Sequence, residues 1–137
     1  MSEQDSSTAS RPRVLSVGHD PDLLRTRELV LESAGFEVLT VAGHASLKDA
    51  LGRLEKAKEF HGFVLGQSLP LEERVELASR LRKTAPGAGI VFLHYPGETF
   101  DARNCDAVVI TPSDPEKLLT AVRRAIQRAA QRRRSES

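Results

Sequence analysis

Aromatic residues are scarce in this chain: there is no tryptophan, one tyrosine and five phenylalanines in 137 residues. Its core must therefore be aliphatic, built from Val, Leu, Ile and Ala. The single cysteine, Cys105, excludes an internal disulfide and fits a reducing cytosol. It falls in an expected loop with no base beside it in sequence and is read as incidental. No apolar run approaches the roughly 18 residues that a membrane-spanning helix needs. Met1 to Ser10 is polar, without the apolar centre of a secretory signal. The expected location is cytoplasmic. What remains is ordinary: 39% hydrophobic and 28% charged residues suit one globular domain long enough to bury a real core.

The net charge of +1 is unevenly spread. Residues 118–137 hold six arginines (123, 124, 128, 132, 133 and 134) against Glu136 alone, so the rest of the chain is mildly acidic. Residues 1–12 are Ser-rich and read as a disordered leader, residues 13–130 as the domain, and residues 131–137 as a basic, frayed tail.

Within the domain, short apolar runs alternate with helical patterns. Residues 13–17 form a buried-strand run, broken by Gly18-His19-Asp20-Pro21. Asp20 before Pro21 predicts a helix start, the carboxylate as cap and the proline at the first helical position. That helix runs to about Ala34, with Leu23, Leu24, Leu29, Val30 and Leu31 on its apolar face and Gly35 as its left-handed terminator. A strand over 36–41 follows, then a helix capped by Ser46 through about Lys58. The third strand covers about 61–65. Next comes a helix over about 71–84, with Val75, Leu77, Ala78 and Leu81 facing in. The fourth strand is 90–94 and the fifth 107–110. Asp114-Pro115 repeats the cap-plus-proline signal and opens a long last helix.

Strict alternation of this kind predicts an α/β, flavodoxin-like, doubly wound sheet of five parallel strands in the order 2-1-3-4-5, with helices on both faces. In such sheets the working crevice lies at the carboxyl ends of the strands. That selects Gly18, His19, Asp20, Gly66, His94 and Thr111. Between His94 and Thr111 there is room for only about one helical turn, and Pro96-Gly97 opposes even that. A fourth helix is therefore expected to be shortened or absent.

The motifs resemble the receiver domain of bacterial response regulators. Residues 14–21, VLSVGHDP, are similar to that family's opening I-L-V-V-D-D-D-P, and Gly35-Phe36-Glu37-Val38 to its G-Y-E-V. Phe63-Val64-Leu65-Gly66-Gln67-Ser68-Leu69-Pro70 matches its third strand, written as an apolar run and then D-x-x-M-P. Leu69-Pro70 continues without a gap to Leu81-Arg82, with Arg74 where the family has glycine. Val109-Ile110-Thr111-Pro112 resembles its Y-L-x-K-P, with Thr111 at the lysine. The resemblance spans residues 14–128 and implies a signalling module.

It also implies chemistry that this chain has lost. The family holds Mg²⁺ with two acids after strand one and with the Asp that accepts the phosphoryl group. A Ser or Thr after strand four and a Lys after strand five bind the phosphoryl group and report its arrival. Here those five positions are Gly18, His19, Gly66, His94 and Thr111. The resemblance thus points to a degenerate pseudo-receiver with no metal, no cofactor and no enzymatic activity, acting independently of phosphorylation through protein–protein contact. The implied partner is another signalling protein, with a second copy of the chain as a further option.

His19 and His94 could form a pH-sensing or metal-binding pair, but two imidazoles make a poor metal site and are read as filling space left by the lost acids. Asp20 is read as a helix cap. Arg124, Arg128 and Arg132 recur every four residues and share a helix face, continued by Arg133 and Arg134. That face could bind nucleic acid or an anionic surface. Without interleaved aromatics it reads instead as a solvated helix end complementing the helix dipole, and a nucleic-acid partner is not expected. Three alternatives remain: a phosphorelay receiver using another acceptor, the nearest acids being Glu72 and Glu73; an anionic-surface binder; and a small-ligand binder at the strand ends.

Overall fold

The computed structural model describes residues 11–43, 55–98, 104–111 and 114–136, with side chains to residue 134. Five strands build one sheet: β1 (Arg13–Gly18), β2 (Glu37–Ala42), β3 (Gly62–Leu65), β4 (Gly89–His94) and β5 (Ala107–Ile110). Their order is β2-β1-β3-β4-β5 and every neighbouring pair is parallel. This is the flavodoxin-like arrangement the alternating pattern predicts. Among the described residues three helices accompany it: α1 (Pro21–Ser33), α2 (Leu71–Thr84) and α3 (Pro115–Glu136). A 3₁₀ turn (Glu55–Glu59) precedes β3. The helix expected over 46–58 lies mostly outside the described residues, as does nearly all of the expected leader.

Successive side chains of a strand point to opposite faces, and this parity divides the core. Leu15, Val17, Phe63, Leu65, Ile90 and Phe92 pack with Leu77, Ala78 and Leu81 of α2. Val14, Val64, Val91, Leu93 and Val109 pack with Leu31 of α1 and Leu118, Val122 and Ala125 of α3. β3 and β4 are buried along their whole length. That is why they read as unbroken apolar runs rather than alternating ones. Fully burying one such side chain contributes about 1.5–3 kcal/mol.

The caps are where the residues predict them. Asp20 Oδ1 accepts from the backbone N–H groups of Asp22 and Leu23 at 3.0 and 3.3 Å. Asp114 Oδ1 accepts from Lys117 N–H at 3.1 Å. Among the described residues no helix lies between β4 and β5.

Two expectations need correcting. Leu29 was placed on the apolar face of α1 but is half exposed. The buried stripe of α1 is Leu24, Arg27 and Leu31, at helical spacing. The basic end expected to fray from residue 131 is instead helical to Glu136, because side chains on it hold the body. Arg132 donates to Asp106 Oδ1 at 2.6 Å and to the carbonyls of Pro86 and Ala88 at 3.1 and 3.4 Å.

Packing of α3 on the sheet depends on a missing side chain. A β-carbon at Gly89 would lie 2.4 Å from the backbone carbonyl carbon and oxygen of Ala125. Backbone cannot swing aside, so Gly89→Ala must push α3 off β4. The expected cost is about 1–3 kcal/mol, read as a lower denaturant midpoint at unchanged slope. Gly62→Ala should cost less, because its β-carbon would meet the flexible Ile126 side chain at 3.3 Å.

Candidate functional site

The parallel sheet brings the ends of β1, β3, β4 and β5 to one crevice, and loop hydrogen bonds draw its rim together. Ser68 Oγ accepts from the backbone N–H groups of His19 and Asp20 at 2.7 and 3.3 Å, joining the β1 loop to the β3 loop. Thr111 donates to the His94 carbonyl through its N–H at 2.9 Å and its hydroxyl at 3.3 Å, joining β5 to β4.

At Gly66 the crevice is filled from one side. Arg27 comes down from α1 with only 7% of its surface exposed, and its Nη2 donates to Gln67 Oε1. A β-carbon at position 66 would lie 2.7 Å from Arg27 Nη1 and 2.8 Å from the Val17 carbonyl oxygen. A guanidinium therefore occupies the space into which a side chain at 66 would project. Burial lowers the Arg27 pKa to about 10, against the raising influence of Asp20 and Tyr95. It remains a cation at neutral pH, and its enclosed Nη1 has no hydrogen-bond partner among the described residues. Position 18 is tight as well: a β-carbon there would stand 3.0 Å from Ser68 Oγ and 3.2 Å from Leu24.

The two histidines face different carboxylates. His19 is exposed, its Nε2 4.0 Å from Glu73 Oε1. His94 is buried, its Nδ1 3.6 Å from Glu98 Oε1. Asp20 is engaged as the cap of α1. A divalent cation does not fit what stands here: positions 18 and 66 carry no ligand, and a guanidinium already holds positive charge at the centre.

Glu98 belongs to a second arrangement beside the crevice. Arg74 on α2 is 1% exposed. It donates to the Leu69 carbonyl at 3.0 Å, to the Leu93 carbonyl at 2.8 Å, and to both Glu98 oxygens at 3.1 and 2.8 Å. Glu98 also accepts from Tyr95 N–H at 3.1 Å. Gly97, with φ of +88°, supplies the left-handed residue after Pro96 that a type II turn needs. The hydrogen bond from Arg74 leads in holding the Glu98 carboxyl below its usual pKa. The β4 loop is thus clamped to α2 by a buried cation.

The expected basic face of α3 is not uniform. Arg128 donates to the Asp106 carbonyl at 2.8 Å and Arg132 to the Asp106 carboxylate, while Arg124, Arg128, Arg133 and Arg134 all keep much of their surface exposed. Arg27 was not singled out from the sequence, and Arg74 only as a departure from the family's glycine. Their signal was spacing: each continues the buried stripe of its helix, at 24-27-31 and at 74-77-78-81.

Five parallel strands in this order, with the crevice at their carboxyl ends, are the fold of CheY-like receiver domains. Solved structures agree. A response-regulator receiver domain protein (CheY-like) from Methanospirillum hungatei JF-1 superposes with a TM-score of 0.69 at 22% identity, over 90% of this chain and 99% of that one. A sensor protein from Polaromonas sp. JS666 gives 0.73 at 25% identity, over 88% and 99%. An adenylate cyclase from Rhodopirellula baltica gives 0.75 at 21% identity, over 92% and 95%. No protein-family model matches the chain. Among the described residues, no helix is long and apolar enough to cross a membrane.

Proposed function

We propose that this chain is a phosphorylation-independent pseudo-receiver, a protein–protein interaction module of two-component-type signalling that catalyses no reaction. One observation carries the reading. Where the resemblance calls for a phosphoacceptor aspartate, the chain has Gly66, and the Arg27 guanidinium stands within 2.7 Å of the position a β-carbon would take. The pocket has lost its nucleophile and is also filled from within. The clamp of Arg74 on Glu98 supports the same conclusion, since it fixes the loop after β4 without any phosphoryl group. Output would then come from a surface held in one state, presented in the cytoplasm to another signalling protein or a second copy of the chain. The alternative of an anionic-surface binder is weakened by Arg128 and Arg132, which are engaged with Asp106.

The test is an amide NMR spectrum of the chain with and without Mg²⁺ and beryllofluoride, a mimic of an acyl phosphate. No shifts are expected at residues 18–20, 66, 94 and 111. Gly66→Asp should stay equally unresponsive, because positions 18 and 19 still offer no carboxylate. It should also be less stable by about 1–3 kcal/mol, since the Val17 carbonyl lies 2.8 Å from the new β-carbon. Saturable shifts confined to those residues in the parent chain would overturn the reading.

A further inference from the structure

We propose that a cleft at the amino end of the sheet, opposite the crevice, binds a small multiply charged phosphate of the diphosphate class. It lies where the 3₁₀ turn enters β3, the turn after α2 enters β4, and α3 nears its end. It holds about 500 Å³, within the range of small-molecule sites. Lys58, His61, Lys83 and Arg133 line it, and among the described residues no carboxylate does. Phe60, Ala85 and Ala88 form an apolar floor, each more than nine-tenths buried. A hydrogen bond from Gly89 N–H to the His61 carbonyl at 2.9 Å ties the two loops together.

The charge selects the ligand class. The side chains of Lys58 and Lys83 have no ion pair or hydrogen bond among the described residues. Glu59, the acid beside Lys58 in sequence, is taken by Arg13 at 3.1 Å. His61 Nδ1 accepts from Arg13 N–H at 3.0 Å, so the neutral ring carries its proton on Nε2 and offers a donor there. Arg133 has a further interaction within the chain, and its side chain lies against Gly87 in the space a β-carbon would need. The ends of α2 and α3 each bring about half a negative charge. Two uncommitted lysines outweigh them before Arg133 is counted. Charges of one sign over an apolar floor focus their potential into the cleft, and a multivalent anion relieves their repulsion. Phosphate oxygens fit because lysine and arginine give them charge-assisted hydrogen bonds. The cleft is far larger than one phosphate ion, so linked phosphoryl groups can meet donors on its separate walls. This goes beyond the pseudo-receiver reading and does not rest on it, because the cleft lies at the other end of the sheet from Gly66.

The experiment is an amide NMR titration of the full chain with pyrophosphate, at fixed ionic strength and without divalent cations. Separate titrations use ADP, inorganic phosphate and a single-stranded oligodeoxynucleotide. Pyrophosphate is expected to give saturable shifts confined to residues 58–61, 83–88 and 133. It should bind about fivefold more tightly than inorganic phosphate, the scale of one further exposed ion pair. ADP should move the same amides: binding as tight as that of pyrophosphate assigns the cleft to nucleotides, weaker binding to free diphosphate. Lys83→Gln should weaken pyrophosphate about fivefold. Lys117→Gln, which removes the same charge from an exposed position near the start of α3, should not. If Lys83 only complements the dipole of α2, Lys83→Gln lowers stability and leaves pyrophosphate binding unchanged, and the proposal falls. Shifts scattered over the surface, or phosphate binding as tightly as pyrophosphate, would also overturn it. So would an oligonucleotide that binds more tightly than pyrophosphate and with a steep salt dependence, the mark of a basic surface rather than a cleft. The comparison of pyrophosphate with phosphate needs no variant, so it decides the matter whatever the substitutions do to stability.

Discussion

Asp106→Ala is expected to lower the stability of the chain by about 3–5 kcal/mol, the cost of removing one partner from a buried charged cluster. Asp106 is 6% exposed and immediately precedes β5. Its Oδ2 accepts from Ile90 N–H at 2.9 Å and from Arg82 at 3.0 Å, and its Oδ1 from Arg132 at 2.6 Å. One carboxylate therefore joins α2, the start of β4, the start of β5 and the last turns of α3. Alanine would leave a buried N–H without its partner and two guanidinium groups without their carboxylate. Native domains are stable by only about 5–15 kcal/mol, so the loss is a large share of the total. Urea unfolding should show a much lower midpoint. Asp106→Asn keeps an acceptor for Ile90 but not the charge, and should fall between the two. Arg132→Ala should cost less, since Arg132 is 30% exposed and water can replace part of what it does. A small effect of Asp106→Ala would mean that α3 is held by its apolar stripe alone.

The contrast between Asp106 and the strands shows what a sequence of this kind reveals. Strand and helix periods are local, and so are caps, so the chain order and the ends of α2 and β5 could be read from the residues. The crevice positions followed from topology: once five parallel strands alternate with helices, their carboxyl ends must converge. That Gly66 stands where an acid is expected was legible only through the resemblance of residues 63–70 to the receiver motif. What fills the space beside it was not. Arg27 pairs with Gln67 across forty residues, Arg74 with Glu98 across twenty-four, and Arg132 with Asp106 across twenty-six. No local period encodes such partners. Apolar patterning also missed the burial of Arg27 and Arg74. Leu29 looked like an inward residue although Arg27 lies on the buried stripe, and Arg74 was overlooked beside Val75, which does pack against the core as expected. An arginine can take such a place because its stem is apolar and its head can reach carbonyls and carboxylates beyond the stripe. Nor does the arginine spacing on α3 reveal that Asp106 faces Arg128 and Arg132.

Arg74→Ala should be comparably damaging, at about 3 kcal/mol or more, and its consequences should be local as well as global. Arg74 is the largest fully buried side chain of the described residues. Removing it leaves a cavity and strips the Leu69 and Leu93 carbonyls of a charged donor. Glu98→Gln, which keeps both carbonyl contacts, should cost less. Acid separates the two effects. Because the hydrogen bond from Arg74 lowers the Glu98 pKa, the carboxylate contributes stability that is fully present above its ordinary value of 4.5 and is lost as pH falls through the lowered one. Both Glu98→Gln and Arg74→Ala should therefore show a flatter loss of stability across that acid window than the parent. Hydrogen exchange then tests the clamp. With Arg74 gone, amides 95–98 should exchange faster, by more than the global loss of stability accounts for, because Arg74 ties this part of the β4 loop to α2 through Glu98. Unchanged relative protection at 95–98 would show that the loop holds itself through its own turn, and the clamp would no longer support an output surface fixed without a phosphoryl group.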